Sequence, residues 1–278
     1  MEPHPPPYRL VLIGSAASQA MSPALWNPVL ARLGNGWRYE AWDVAPDADL
    51  AQVRRKLLDP DTVAANVTMP HKHWAADTAD EADESVRLSG ACNLLVRADG
   101  RLEAHNTDIT AARKLLGPAY QRHALLLGAG GAARAALISI REQVGAVSIT
   151  DRDPHASAEL LELARELGLD AHAITWEHAR DAAADASLIV NATPIGKSTS
   201  DPAAWGDAAL APDAVLYDFV YARHTTPSVA CAEAMGIRCI DGWDHLREQA
   251  VAMVPLLGLN GEAEVLLQES LVRLRDTH

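Results

Sequence analysis

Leu125-Leu126-Leu127-Gly128-Ala129-Gly130-Gly131-Ala132-Ala133-Arg134-Ala135-Ala136-Leu137 starts as an apolar run, passes through a glycine turn and continues into an alanine-rich stretch. A short apolar run that stops at glycine reads as a buried strand, and alanine has the strongest intrinsic preference for helix. The spacing is G-x-G-x-x-A. Gly128 permits a tight turn, Gly130 lets the backbone come close to a ligand, and Ala133 lets helix and strand pack tightly. The N–H groups that begin the helix have no partner inside it and face the space above the turn, which suits an anion. The pattern therefore predicts a strand–turn–helix that cradles a pyrophosphate on Gly128, Ala129, Gly130, Gly131 and Ala132.

Working outward, a strand over residues 146–150 ends at Thr150-Asp151-Arg152-Asp153, about 20 residues past the glycines, where a ribose-reading acid belongs. Asp151 and Asp153 would accept hydrogen bonds from ribose hydroxyls and would repel a 2′-phosphate. Arg152 pulls the other way, because a guanidinium pairs with phosphate or stacks on adenine. NAD is the expected cofactor and NADP the alternative. Helices over 154–167 and 226–235 alternate with strands over 188–191, 215–218 and 237–240. Strands alternating with helices imply a mainly parallel sheet covered on both faces. Residues 108–241 thus read as a Rossmann-type doubly wound domain.

Upstream, the pattern predicts strands over 8–14, 37–44 and 62–67. It also predicts a helix over 22–33 with Ser22 as its cap, a helix over 47–58 and an acidic surface helix over 79–88. A hairpin turns at Ala98-Asp99-Gly100. Two closing helices, 242–257 and 262–275, complete this first domain, so the chain reads as α/β with two domains, 1–107 plus 242–278 and 108–241.

Composition narrows the partners. The formal net charge is −13, with 49% hydrophobic and 22% charged residues. Such a surface repels phosphate backbones and anionic lipid, so nucleic acid and membrane surfaces are not expected. Residues 1–7 have neither a basic nor an apolar segment and read as a short disordered lead, not a signal peptide. A cytoplasmic location follows, with Cys92, Cys231 and Cys239 reduced, since no pair has metal-motif spacing. His71 and His73 alternate with no third ligand nearby, so no metal is expected.

An ordered set of motifs resembles the shikimate/quinate dehydrogenase family along nearly the whole chain. Asn66-Val67-Thr68-Met69-Pro70-His71-Lys72 is similar to its N-V-T-x-P-x-K, and Gly90-Ala91-Cys92-Asn93 to its G-A-x-N. Asn106-Thr107-Asp108 is similar to its N-T-D, and Asn191-Ala192-Thr193-Pro194-Ile195-Gly196 to its N-A-T-P-x-G. Asp218-Phe219-Val220-Tyr221 with Thr226-Pro227 resembles its D-x-x-Y…T-P, and Gln249 sits where a late helix supplies a glutamine. The resemblance implies an N-terminal substrate domain and hydride transfer between a nicotinamide and a small polyol carboxylate, by a monomer or homodimer. It implies Lys72 and Asp108 as the catalytic pair, and Ser22, Thr68, Asn93, Tyr221 and Gln249 around the substrate. Asn191, Thr193 and Pro194 join Asp151 and Arg152 at the cofactor. The chemistry agrees, because oxidising a secondary alcohol needs a hydride acceptor and a group to take the hydroxyl proton.

The chain departs from the family near the substrate. Ala20 replaces the first hydroxyl of S-x-S-P, and Trp26 replaces a histidine. Ile109 follows Asp108 where a small residue is usual, and Ala222-Arg223 follows Tyr221 where N-P is usual. His245 stands where a methionine near the nicotinamide is usual. Ser18 reads as a plain loop serine, and Lys197 and Arg223 as surface cations. Ala20 and Trp26 leave a second reading open, a catalytically idle relative that senses a dinucleotide or ring acid. An enzyme is expected, because a pure sensor has no need of Lys72 and Asp108.

Overall fold

The computed structural model describes residues 8–277. The lead expected over residues 1–7 lies outside them. The chain divides into two compact units, one formed by residues up to Thr107 together with those from Gln249 onward, the other by Asp108–Glu248.

The first unit begins with β1 (Arg9–Gly14), α1 (Ser22–Leu33), β2 (Arg38–Asp43), α2 (Leu50–Leu57) and β3 (Thr62–Val67). It continues through α3 (Lys72–Thr78), β4 (Glu81–Ala82), α4 (Glu84–Ser89), β5 (Leu94–Ala98) and β6 (Arg101–His105). Its sheet has the order β2-β1-β3-β5-β6-β4. β1 pairs parallel with both β2 and β3, whereas β3–β5 and β5–β6 are antiparallel, as the hairpin requires. Val11, Ile13, Val67, Leu95 and Leu102 bury one face of this sheet.

Two expectations change here. The helix expected over 79–88 is instead β4 followed by α4, because the acidic residues there are used as anchors. Asp83 caps α4 by accepting the Val86 N–H at 3.0 Å, and Asp80 accepts the Leu102 N–H at 2.9 Å. The run is therefore not simply a hydrated helix face. Ser22 is the first helical residue of α1, and the cap position falls on Met21, which has no oxygen to cap with.

The second unit contains α5 (Thr107–Leu116), β7 (Gln121–Leu127), α6 (Gly131–Ile140), β8 (Val144–Thr150), α7 (Pro154–Glu166) and β9 (Asp170–Ala173). Then come α8 (Ala179–Asp185), β10 (Leu188–Asn191), β11 (Val215–Asp218), α9 (Pro227–Ala234), β12 (Arg238–Ile240) and the start of α10 (Gly242–Leu256); the rest of α10, from Gln249, and α11 (Gly261–Thr277) belong to the first unit. Its six strands are all parallel in the order β12-β11-β10-β7-β8-β9. Read from the other edge, this is the doubly wound 3-2-1-4-5-6 arrangement, whose switch point lies between β7 and β10. Leu126, Val147, Ile149 and Val190 pack on one face of the sheet, and Leu125, Leu127, Ile189 and Leu216 on the other. The sequence places the last domain boundary at residue 242, but the compact unit runs on to Glu248. A Cβ on Gly242 would come within 2.5 Å of the Val220 carbonyl, so the start of α10 packs directly on the loop after β11. Among the described residues, no helix is long and apolar enough to cross a membrane.

Candidate active site

In the first unit, β3 ends at Val67 and the chain turns through Thr68, Met69 and a cis Pro70 into α3. The Thr68 N–H donates to Ile13 O at 2.8 Å, and the His71 N–H to Thr68 O at 3.0 Å, so the turn is tied to the neighbouring strand and to itself. His71 Nε2 lies 2.8 Å from Val44 O and His73 Nδ1 lies 2.7 Å from Gly90 O; these backbone oxygens account for both rings. Lys72 is half-buried at the first position of α3, and its carbonyl accepts the Cys92 N–H at 2.9 Å. Asn93 is buried, with Oδ1 accepting the Thr107 N–H at 2.7 Å and Nδ2 donating to Thr107 Oγ1 at 3.0 Å. Thr68, Lys72 and Asn93 therefore gather at one end of the sheet. Asn93 also fixes the residue directly before Asp108. Burial pushes the neighbouring Cys92 thiol up to about 12, which leaves it inert.

Ser22 is buried at the start of α1, and Gln249 is half-buried on α10. Ser18 donates its hydroxyl to Asp43 Oδ2 at 2.7 Å and its N–H to Asp43 Oδ1 at 2.9 Å. Its hydroxyl proton is thus already used, and it does not stand in for the hydroxyl missing at Ala20. Trp26 is 1% exposed and belongs to the core.

In the second unit, the glycine turn sits at the carboxyl end of β7, at the switch point. Gly128 has φ +99°, and a Cβ there would lie 2.9 Å from the Ala192 carbonyl, so the two loops flanking the switch point meet across this glycine. Gly130 caps α6 without a side chain, and a Cβ on it would meet no protein atom within 4 Å. Asp151 follows β8, accepting the Ala129 N–H at 2.8 Å and the Asp153 N–H at 2.9 Å. Asp153 caps α7, and Arg152 is exposed. A bare glycine surface below uncapped helix N–H groups, with a carboxylate beside it, fits a dinucleotide. Among the described residues, no group of three or more His, Cys, Asp or Glu side chains is arranged to hold a metal ion.

Asn191 is fully buried and its side chain serves the loop itself. Nδ2 donates to Ile195 O and to Asp218 Oδ1, both at 2.9 Å, while Oδ1 accepts the Thr193 hydroxyl at 2.7 Å. Asn191 thus shapes the loop that presents Thr193 and the exposed Pro194. Tyr221 is half-buried, and burial together with the negative charge of Asp108 keeps its phenol protonated. Arg223 and Lys197 are exposed, as expected.

The role of Asp218 was not read from the sequence, although an acid ending a fully buried strand run was the available signal. It accepts from Asn191, from the Val220 N–H at 3.0 Å and from Thr226 Oγ1 at 2.6 Å. Burial outweighs these bonds and pushes its carboxyl from 3.8 up to about 6. The folded state therefore holds this proton more tightly than the unfolded chain does. The resulting stabilisation, about 3 kcal/mol at most, is present below the unfolded value and is lost as pH rises through about 6. Asp218→Asn stays neutral, so relative to wild type it should gain stability between pH 4 and pH 7. Urea unfolding of both proteins across that range measures the difference, and a constant difference would contradict this account.

The sequence model of the shikimate dehydrogenase substrate binding domain matches residues 12–95. Over 249 residues the chain is 34% identical to the shikimate dehydrogenase (NADP(+)) of Acidiphilium cryptum, covering 86% of each chain. The chain belongs to the shikimate dehydrogenase family. The architecture is similar to that of Mycobacterium tuberculosis shikimate dehydrogenase, with TM-score 0.81 and 30% identity, over 96% of this chain and 100% of that one. It is also similar to Thermus thermophilus shikimate 5-dehydrogenase in complex with NADP(H) and shikimate, with TM-score 0.75 and 29% identity, over 95% and 99% of the two chains. The first unit thus holds the family's substrate-domain sequence, and the second is its Rossmann-like partner.

Proposed function

We propose that this chain is a dehydrogenase that moves a hydride between a nicotinamide dinucleotide and the secondary alcohol of shikimate, quinate or a close analogue. The observation that carries this is the bare glycine turn at the switch point of an all-parallel sheet, in a chain of the shikimate dehydrogenase family. A bound dinucleotide supplies the hydride acceptor. Lys72 and Asp108 are assigned to the reacting hydroxyl and its proton. An ammonium near the oxygen favours the developing alkoxide, and a carboxylate orients the O–H. Ser22, Thr68, Tyr221 and Gln249 are assigned to the ring substituents. Asn93 holds the start of α5 through the Thr107 N–H.

The Acidiphilium cryptum relative is an NADP(+) enzyme and the Thermus thermophilus one was solved with NADP(H), and the exposed Arg152 would suit a 2′-phosphate. We assign NAD to this chain, because Asp151 follows β8, where a ribose-reading acid belongs, and its carboxylate and that of the cap residue Asp153 would repel a 2′-phosphate. Steady-state assays at the reduced-nicotinamide band, with shikimate and quinate and each dinucleotide, test both points. We expect turnover, with kcat/KM at least about tenfold higher for NAD, corresponding to about 1.4 kcal/mol. A preference for NADP would reverse the cofactor assignment. Dinucleotide binding without turnover on either acid would select the sensor reading that Ala20 and Trp26 leave open.

A further inference from the structure

Within the second unit, three buried side chains form a hydrogen-bonded line. The Tyr217 hydroxyl lies 2.6 Å from His245 Nδ1, and His245 Nε2 lies 3.2 Å from Asp108 Oδ1. Tyr217 is fully buried, and His245 and Asp108 are 8% and 5% exposed. The three come from β11, α10 and α5, so the line is a tertiary feature. It is held laterally by Phe219, whose ring is stacked 4.6 Å from Tyr217 and tilted 4.6 Å from the imidazole.

The proton positions follow from the donor inventory. An ionised carboxylate only accepts, so Nε2 must carry the hydrogen that faces Asp108. A neutral imidazole then accepts at Nδ1, and the phenol must donate there. Tyr217 is suited to that role, because burial and the charges of Asp108, Asp244 and Glu248 hold its proton firmly. A phenol that always donates selects one imidazole tautomer, and that tautomer presents N–H to the aspartate.

We propose that His245, backed by Tyr217, is a positioning residue for Asp108, fixing one carboxylate oxygen and with it the plane in which the group meets the substrate hydroxyl. The inference rests on the reading of Asp108 as a proton-handling residue. Misplacing such a group by an ångström is enough to cost about a hundredfold in rate.

Two kinds of measurement test it. Asp108→Asn should abolish turnover, which checks the underlying reading on its own. His245→Met removes the donor while keeping an apolar side chain, and should lower kcat by about tenfold to a hundredfold while dinucleotide affinity stays within about twofold. His245→Gln, which offers an amide N–H, should recover part of that loss, a result that a purely structural role would not give. The second measurement needs no activity. Nitrogen NMR of the wild-type imidazoles, with the His245 signal assigned by its loss in His245→Gln, should show a protonated Nε2 and a bare Nδ1. Tyr217→Phe should erode that preference. If Asp108→Asn is dead while His245→Met turns over normally, the positioning role is wrong and the reading of Asp108 stands. A wild-type His245 protonated at Nδ1 alone overturns the proposal in the same way. Normal turnover in Asp108→Asn overturns both.

Discussion

Replacing Lys72 by alanine is expected to lower kcat by about two to four orders of magnitude, the range associated with losing a positioned acid–base group. Dinucleotide affinity should barely change. The fold gives a reason to expect a clean variant. Lys72 is half-buried at the first position of α3, and its backbone carbonyl accepts the Cys92 N–H at 2.9 Å. Alanine keeps that carbonyl and is a better helix former than lysine. What disappears is the ammonium, which matters most when negative charge develops on the substrate oxygen. An interaction that strengthens in the transition state appears in kcat more than in KM. With substrate deuterated at the carbinol carbon, the variant should show a larger isotope effect than the wild type, because the slowed step is the one that breaks the C–H bond. Turnover within about tenfold of wild type would take Lys72 out of the catalytic pair.

Much of this architecture is legible in the sequence for a definite physical reason. Strands such as Thr62–Val67, Leu188–Asn191 and Val215–Asp218 are almost wholly buried, so they read as uninterrupted apolar runs and their limits are sharp. β9 escapes the same reading. It is an edge strand of four residues with only Ala171 buried, and its sequence carries no β pattern. The acidic stretch around Asp80 and Asp83 misleads for a related reason. Charged residues at roughly helical spacing look like a solvated helix face, whereas here they accept backbone N–H groups across loops and strands. The site follows the same division. The glycine spacing points to the turn, and the family resemblance points to Lys72 and Asp108. Neither shows that Asn93 is committed to Thr107, that Asn191 bonds Asp218, that Ser18 is committed to Asp43, or that His245 reaches Asp108. Those are partner choices among residues far apart in the chain, and they become defined only once the strands are ordered.

Adding one methyl group at either of two neighbouring glycines is expected to give opposite results, and the contrast tests the dinucleotide cradle directly. At Gly128 the backbone has φ +99°, and a Cβ would sit 2.9 Å from the Ala192 carbonyl. Gly128→Ala therefore strains the turn and pushes against backbone that cannot swing aside. We expect a stability loss of about 2–5 kcal/mol, from the positive φ and the forced contact together, accompanied by loss of dinucleotide binding. Gly130→Ala differs in both respects. The residue has φ −79°, which any amino acid adopts, and its Cβ would meet no protein atom within 4 Å. The protein should tolerate it to within about 0.5 kcal/mol, as for an unremarkable surface change. If the pyrophosphate occupies that open space, the new methyl collides with the ligand instead, and affinity should fall at least about tenfold, corresponding to about 1.4 kcal/mol. Thermal unfolding and dinucleotide titration of the two variants separate the outcomes. A Gly130→Ala protein that is stable and binds the dinucleotide as tightly as wild type would show that the anion lies elsewhere, and the chemistry assigned to the turn would go with it.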